Sequence, residues 1–208
     1  MGKLLPTILD TKHENILAQE KVLAKSVASV VIGQSPVTAW DVLIPIVFVF
    51  NVLKFKRARE IFTLNFLFTK KLALQGAFDM VKKGQSREDI LGQIRDRTSQ
   101  ILASDQKGIY SNKIRQKQMR EMELLLDHYF RLLNAEGKDY RSMVRHAYRT
   151  RQDFAAFVKE LEGIEKEVNR AASQTVGTAS APDIVSRMEE TADRLRATQV
   201  ERIFGTAP

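Results

Sequence analysis

The sequence predicts an all-α fold, an elongated helical bundle or hairpin with an apolar, membrane-associated helix near its N-terminus. Three observations carry that prediction. Glycine (10) and proline (5) are scarce in 208 residues, while the straight-chain helix formers are plentiful. Apolar residues recur at helical spacing along most of the chain. The one run suited to a buried strand, VLIPIVFVF, contains Pro45, which cannot donate to a sheet ladder, and no second run of comparable quality exists to pair with it.

The elements follow in order. Residues 7–32 form an amphipathic helix, with Leu9, Ile16, Leu23 and Val30 seven apart and Leu17, Ala24, Val27 and Val31 beside them. GQSP ends it, because Gly33 suits a helix stop and Ser35–Pro36 suits a new start. Residues 36–55 are read as helix with an early kink at Pro45. Residues 56–83 continue with Phe62, Phe66, Leu67, Leu74, Ala77, Phe78 and Val81 on one side, up to Gly84. Ser86 then caps a helix over about 87–103, with acids in its first turn to suit the helix dipole. A helix over about 112–136 stops at Gly137, and Asp139 caps a long one over about 140–172. In that last helix Tyr140, Ala147, Phe154, Leu161 and Val168 make one row. Met143, Thr150, Phe157, Ile164 and Ala171 make the other, a heptad pattern that predicts packing along its whole length. Phe154, Phe157, Leu161 and Ile164 are the expected seam, against the chain's own helices or a partner's. SQTVGTASAP is a small-residue linker, and residues 183–204 form a final helix. The expected organisation is therefore an N-terminal helix in 1–35, an apolar segment with a Phe-rich helix in 36–84, a basic helical hairpin in 85–172, and a linker with a short helix in 173–208.

The apolar run from Val42 to Leu53 is interrupted by one strongly polar residue, Asn51. Its own length falls short of the roughly 20 helical residues that a bilayer core needs. Extended from Val37 to Phe55 it approaches that length, with Asp41 and Lys54 placed at the interfaces. Trp40, Val42, Leu43, Ile44, Ile46, Val47, Phe48, Phe50 and Leu53 are the expected membrane contacts. Trp40 suits headgroup depth, and Lys54, Lys56, Arg57 and Arg59 make a basic flank for anionic lipid. Two arrangements are open. A spanning segment would follow the charge asymmetry, with two cations in residues 17–36 and six in 54–73, and would place the C-terminal part in the cytoplasm. A re-entrant segment, kinked at Pro45, would keep both flanks on one face, with residues 7–32 on the membrane surface. The competing reading is an apolar helix buried in a bundle core.

Net charge is +8 and unevenly placed. Residues 54–172 carry 25 cations against 16 anions, whereas the remainder is close to neutral. Arg141, Arg145 and Arg149 lie four apart and are assigned to anionic-surface binding. Lys113, Lys117 and Arg120 form a second stripe on the preceding helix. The bland reading of both is a solvated helix face.

The residues of W…LIPIVFVF…LKFKR, namely Trp40, 43–50 and the cations from Lys54 to Arg57, resemble the central signature of a family of small uncharacterised bacterial proteins. The resemblance covers about twenty residues. It implies bacterial origin and a shared segment, and it brings no catalytic residue with it.

Other chemistries are excluded or unsupported. The absence of cysteine rules out disulfides, thiolate metal sites and a cysteine nucleophile. His13, His128 and His146 are scattered, and neither a Glu-x-x-His pair nor an H-E-x-x-H motif occurs. There is no Gly-rich phosphate loop and no G-x-S-x-G. No catalytic residue, metal or cofactor is expected. The sequence thus predicts a non-enzymatic, membrane-associated helical scaffold or adaptor on the cytoplasmic face of a bacterial inner membrane. Lipid is its expected partner, together with a protein partner or a second copy, and no small-molecule substrate is inferred. The alternative is a soluble cytoplasmic helical module for nucleic acid or an acidic protein. Nucleic acid ranks lower, because no helix-turn-helix, RNP or zinc pattern occurs.

Overall fold

The structure, a computed structural model, describes residues 7–32, 58–105, 108, 110–176 and 181–205. These residues are all-α: α1 (Ile8–Ile32), α2 (Ala58–Phe66), α3 (Phe68–Lys83), α4 (Arg87–Ser104), α5 (Asn112–Asn134), α6 (Tyr140–Tyr148), α7 (Arg151–Val176) and α8 (Ala181–Phe204). Local chemistry sets most of the boundaries. Ser86, Ser111 and Asp139 each accept a backbone N–H from the residue three positions on, which satisfies an orphan donor of the first turn. Thr7 and Asp10 do the same for α1 reciprocally, the Asp10 N–H reaching Thr7 Oγ1 at 3.1 Å and the Thr7 N–H reaching Asp10 Oδ2 at 3.0 Å. Gly84 ends α3 with φ of +67°, which L residues rarely adopt.

α5 is the central helix. Met122, Leu125, Leu126, Tyr129 and Leu132 on it are almost wholly enclosed, by α3 on one side and α7 on the other. The close approach of α3 to its neighbours depends on Gly76. A Cβ there would lie 2.5 Å from Ile90 Cγ2 and 3.2 Å from Leu126 Cδ1. Residues from all four segments of the chain meet in one core, including Ile16, Leu74, Met122, Phe154, Leu161 and Val200. α1 contributes Ile16 to that core, and its Ala24, Val27 and Val31 are also fully buried.

The predicted helix over 140–172 is broken. α6 ends at Tyr148 and α7 starts at Arg151, and the turn between them centres on Arg149 with φ of +60°. The Thr150 N–H donates to the Tyr148 carbonyl, closing a γ-turn of the strained hand. Thr150 then caps α7, its Oγ1 accepting the Asp153 N–H at 3.1 Å. Thr150 is therefore exposed instead of lying in the heptad row, and Tyr148, outside both rows, is buried. The expected seam holds on the chain's own helices. Phe154, Leu161 and Ile164 are buried, and Phe157 stacks on His128 with ring centroids 4.1 Å apart.

Candidate functional site

The two flanks of the apolar stretch converge. Val27, Ala28 and Val31 near the end of α1 share one apolar cluster with Phe62 of α2 and with Ile184, Met188 and Ala192 of α8. The chain therefore leaves and re-enters the bundle at the same end. α1 and α2 pack against each other there. The apolar stripe of α1 is enclosed by α3, α5 and α8, so it does not lie free for a membrane surface. Trp40, Val42, Leu43, Ile44, Ile46, Val47, Phe48, Phe50 and Leu53 lie outside the described residues, as do Lys54, Lys56 and Arg57. Arg59 is exposed on the first turn of α2. Among the described residues no helix is long and apolar enough to cross a membrane.

The basic residues divide into two groups. Lys117 and Arg120 both reach Glu167 of α7, at 2.7 and 2.9 Å, and Lys113 donates to Gln174 at 2.8 Å. That stripe joins α5 to α7. Arg141 and Arg145 are exposed on α6, where Arg141 Nε donates to the Ile203 carbonyl at 3.4 Å. Arg149 has left the helix at the γ-turn and instead shares a shallow groove with Arg131 and His146.

Next to the convergence lies a buried layer of charge that sequence reasoning missed. Lys70 of α3 sits 2.8 Å from Glu165 of α7 and 3.6 Å from Glu121 of α5, with Lys70 and Glu121 almost fully enclosed. Arg196 of α8 closes on Glu165 from the other side through two contacts of 2.7 Å. Thr69 Oγ1 donates to Glu121 at 2.7 Å. Glu20 of α1 accepts from the Tyr129 hydroxyl at 2.9 Å, and its other carboxylate oxygen is buried with no hydrogen-bond partner among the described residues. Glu20 lines a cavity of about 20 Å³ together with Arg196 and Gln199, room for one water.

The titration of this layer follows its geometry. Burial alone would raise the Glu165 carboxyl, but Arg196 and then Lys70 hold it at about 2. Glu121 has one cation near it, and Glu20 none in direct contact, so burial prevails and both are raised. Burial works against the Lys70 ammonium, yet Glu165 and Glu121 raise it.

His128 is sealed on the buried face of α5, sharing a 2.6 Å hydrogen bond with the Tyr148 hydroxyl, and burial lowers its pKa to about 3. It is neutral and packs as an aromatic. His13 meets Phe78 edge-on, and His146 is half-exposed on α6. Among the described residues no group of histidines and carboxylates could hold a metal ion. Comparison of the chain with protein families, curated proteins and solved structures finds no match.

Proposed function

We propose that this protein is a non-enzymatic, membrane-associated helical scaffold, seated on the cytoplasmic face of a bacterial inner membrane by its apolar segment and presenting a helical bundle to a partner. The carrying observation is the anchoring of both flanks of that segment in one cluster, Val27 and Val31 against Phe62. A segment held in this way must return to the side it left. The sequence between the two flanks, residues 33–57, is far shorter than the roughly 40 helical residues that crossing and returning would need. This length suits a seat in one leaflet of a core roughly 30 Å thick. The basic flank from Lys54 to Arg59 follows directly and suits anionic headgroups. The alternative of a soluble module for nucleic acid or an acidic protein draws on Arg141, Arg145 and Arg149. It is weakened by the engagement of Lys117 and Arg120 with Glu167.

Trp40 is the sole tryptophan, so its emission reports on the apolar segment alone. With phosphatidylglycerol vesicles the full chain should show a blue shift, quenching by brominated acyl chains, and co-flotation that survives high salt, whereas binding by charge alone would be lost. Unchanged emission, together with protein that stays monodisperse and does not float, refutes the proposal.

A further inference from the structure

Besides the cavity of about 110 Å³ beside Lys70, which Phe62 and Met188 help to line, the bundle carries a groove at its other end. Lys12 of α1 donates to the Leu133 and Ala135 carbonyls at the close of α5, at 3.1 and 2.6 Å. From Lys12 to Val31, where α1 joins the cluster with Phe62, the helix rises about 28 Å. The groove, of about 510 Å³, lies between the end of α5 and the turn after α6, and Phe130, Arg131, Asn134, His146 and Arg149 wall it. Phe130 is 37% exposed, rare here for a large apolar side chain.

The cations there are short of partners. Asp127 also lines the groove, but Arg87 already holds that carboxylate through two hydrogen bonds of 2.7 and 2.9 Å. Among the described residues no carboxylate lies within ion-pair distance of Arg131, Arg145 or Arg149. Arg131 is exposed, with its guanidinium held over the Tyr148 ring at 4.9 Å. Arg149 stands at φ of +60°, where glycine is favoured. A continuous helix would keep it on the stripe of Arg141 and Arg145; the γ-turn brings it into the groove instead. Strain of this kind persists at ligand clamps. Against the three guanidinium groups stand Glu136, 4.0 Å from His146, and the C-terminal ends of α5 and α6, at about half a negative charge each. About one positive charge is therefore left unmet.

We infer that this groove binds a short acidic segment of a partner protein, one carboxylate clamped by Arg131 and Arg149 and a neighbouring apolar side chain laid on Phe130. A planar guanidinium fork matches a carboxylate in two hydrogen bonds. A continuous array of phosphates, on a bilayer or a nucleic acid, would press on Asp127 and Glu136 as well, whereas a segment with one or two carboxylates need not. The inference gives the scaffold its partner site, and its choice of protein over lipid rests on the proposed membrane seat, which puts the groove at the end remote from the bilayer.

The test uses the full chain, without vesicles, and fluorescence anisotropy of a labelled hexapeptide in which two acidic residues flank a leucine–phenylalanine pair on each side. It should bind with a Kd near 100 μM at physiological salt. The same peptide with amides for its acids, or with alanines for its apolar pair, should bind at least tenfold more weakly. Arg149→Gly relieves the turn and keeps the fold, yet should weaken the acidic peptide at least tenfold, and Arg149→Lys should weaken it less. Arg131→Gln is the second variant and should match the loss in Arg149→Gly. No binding of the acidic peptide at 1 mM, equal binding of the amide peptide, or undiminished binding to both variants each overturns the inference. So does tighter binding of a thymidine hexanucleotide, or loss of phosphatidylglycerol flotation in Arg149→Gly, which would make the groove a nucleic-acid or a lipid site. A wild type that binds the peptide and does not float refutes the membrane seat alone.

Discussion

Replacing Lys70 by methionine is the sharpest probe of the buried layer, because it keeps the side-chain volume and the contact with Phe66 while removing the charge. With an effective dielectric constant of about 20, the contacts at 2.8 Å to Glu165 and 3.6 Å to Glu121 are worth about 6 and 5 kcal/mol gross. Desolvation of the ammonium offsets most of that gain. The net cost is set by what is left behind. Glu165 retains both contacts with Arg196, whereas the direct partner left to Glu121 among the described residues is the Thr69 hydroxyl, with Arg196 acting from farther away. Lys70→Met should therefore destabilise the fold by about 3–5 kcal/mol, the usual cost of orphaning a buried charge. Urea unfolding followed by far-UV circular dichroism measures it. Adding Glu121→Gln, which keeps an oxygen to accept from Thr69, should recover about half of the loss. The loss should also shrink as pH falls. A carboxyl whose folded pKa is raised binds its proton more readily in the folded state, so lowering pH favours folding at Glu121. A cost below about 1 kcal/mol, or no recovery from Glu121→Gln, would refute the view that Lys70 neutralises Glu121.

Three further perturbations test other features. The pKa of His128 is lowered from 6.5 to about 3, so the unfolded chain binds the proton first and this contribution to stability falls with pH across that window. The stability of the wild type minus that of His128→Phe should drop by about 1.4 kcal/mol per pH unit from 6.5 downward in urea titrations; parallel profiles would show that His128 is not buried neutral. Gly76→Ala must displace Ile90 and should cost about 1–3 kcal/mol, read as a lower urea midpoint at unchanged slope. Arg149→Gly relieves a backbone conformation that disfavours L residues, φ of +60°, and should raise the thermal midpoint, with a net gain of about 1 kcal/mol after the entropy of glycine is deducted.

What could be read in advance was whatever depends on neighbours in sequence. The caps at Ser86 and Asp139 and the stop at Gly84 are local chemistry, and each stands where its residues place it. The break at 148–151 was also legible, since Thr150-x-x-Asp153 is a capping pair. The heptad rows obscured it, because Tyr140–Ala147 and Phe154–Leu161 keep a seven-residue step across a turn that costs little register. The charged layer was legible only in part. On α5 the stripe Ile114, Gln118, Glu121, Leu125, His128, Leu132 runs at core spacing, and its three polar members are all buried. That stripe marks polar residues facing inward. Which cations meet them depends on Lys70 and Arg196, which arrive from helices far away in sequence and look like ordinary surface charges there.

The layer and the proposed membrane seat meet at one physical point. Phe62 and Met188 line both the cluster that anchors the apolar stretch and the cavity beside Lys70. A hydrocarbon-facing end would normally be closed by apolar packing alone, since buried ion pairs add little net stability over well-packed hydrophobic residues. Here five helices each contribute at least one polar or charged group directly beneath that end: Glu20, Lys70, Glu121, Glu165 and Arg196. Such an arrangement fixes the register of helices that apolar contacts alone would let slide. Lys70, Glu121, Glu165 and Arg196 tie α3, α5, α7 and α8 together through these contacts, beside the cluster that holds Val31 and Phe62. Loosening the layer should therefore release the geometry of the seat before it unfolds the bundle. In Lys70→Met, Trp40 emission should change in vesicles at urea concentrations that leave the helical signal intact; coincident transitions of the two signals would show that the layer supports the fold as a whole and does not set the seat.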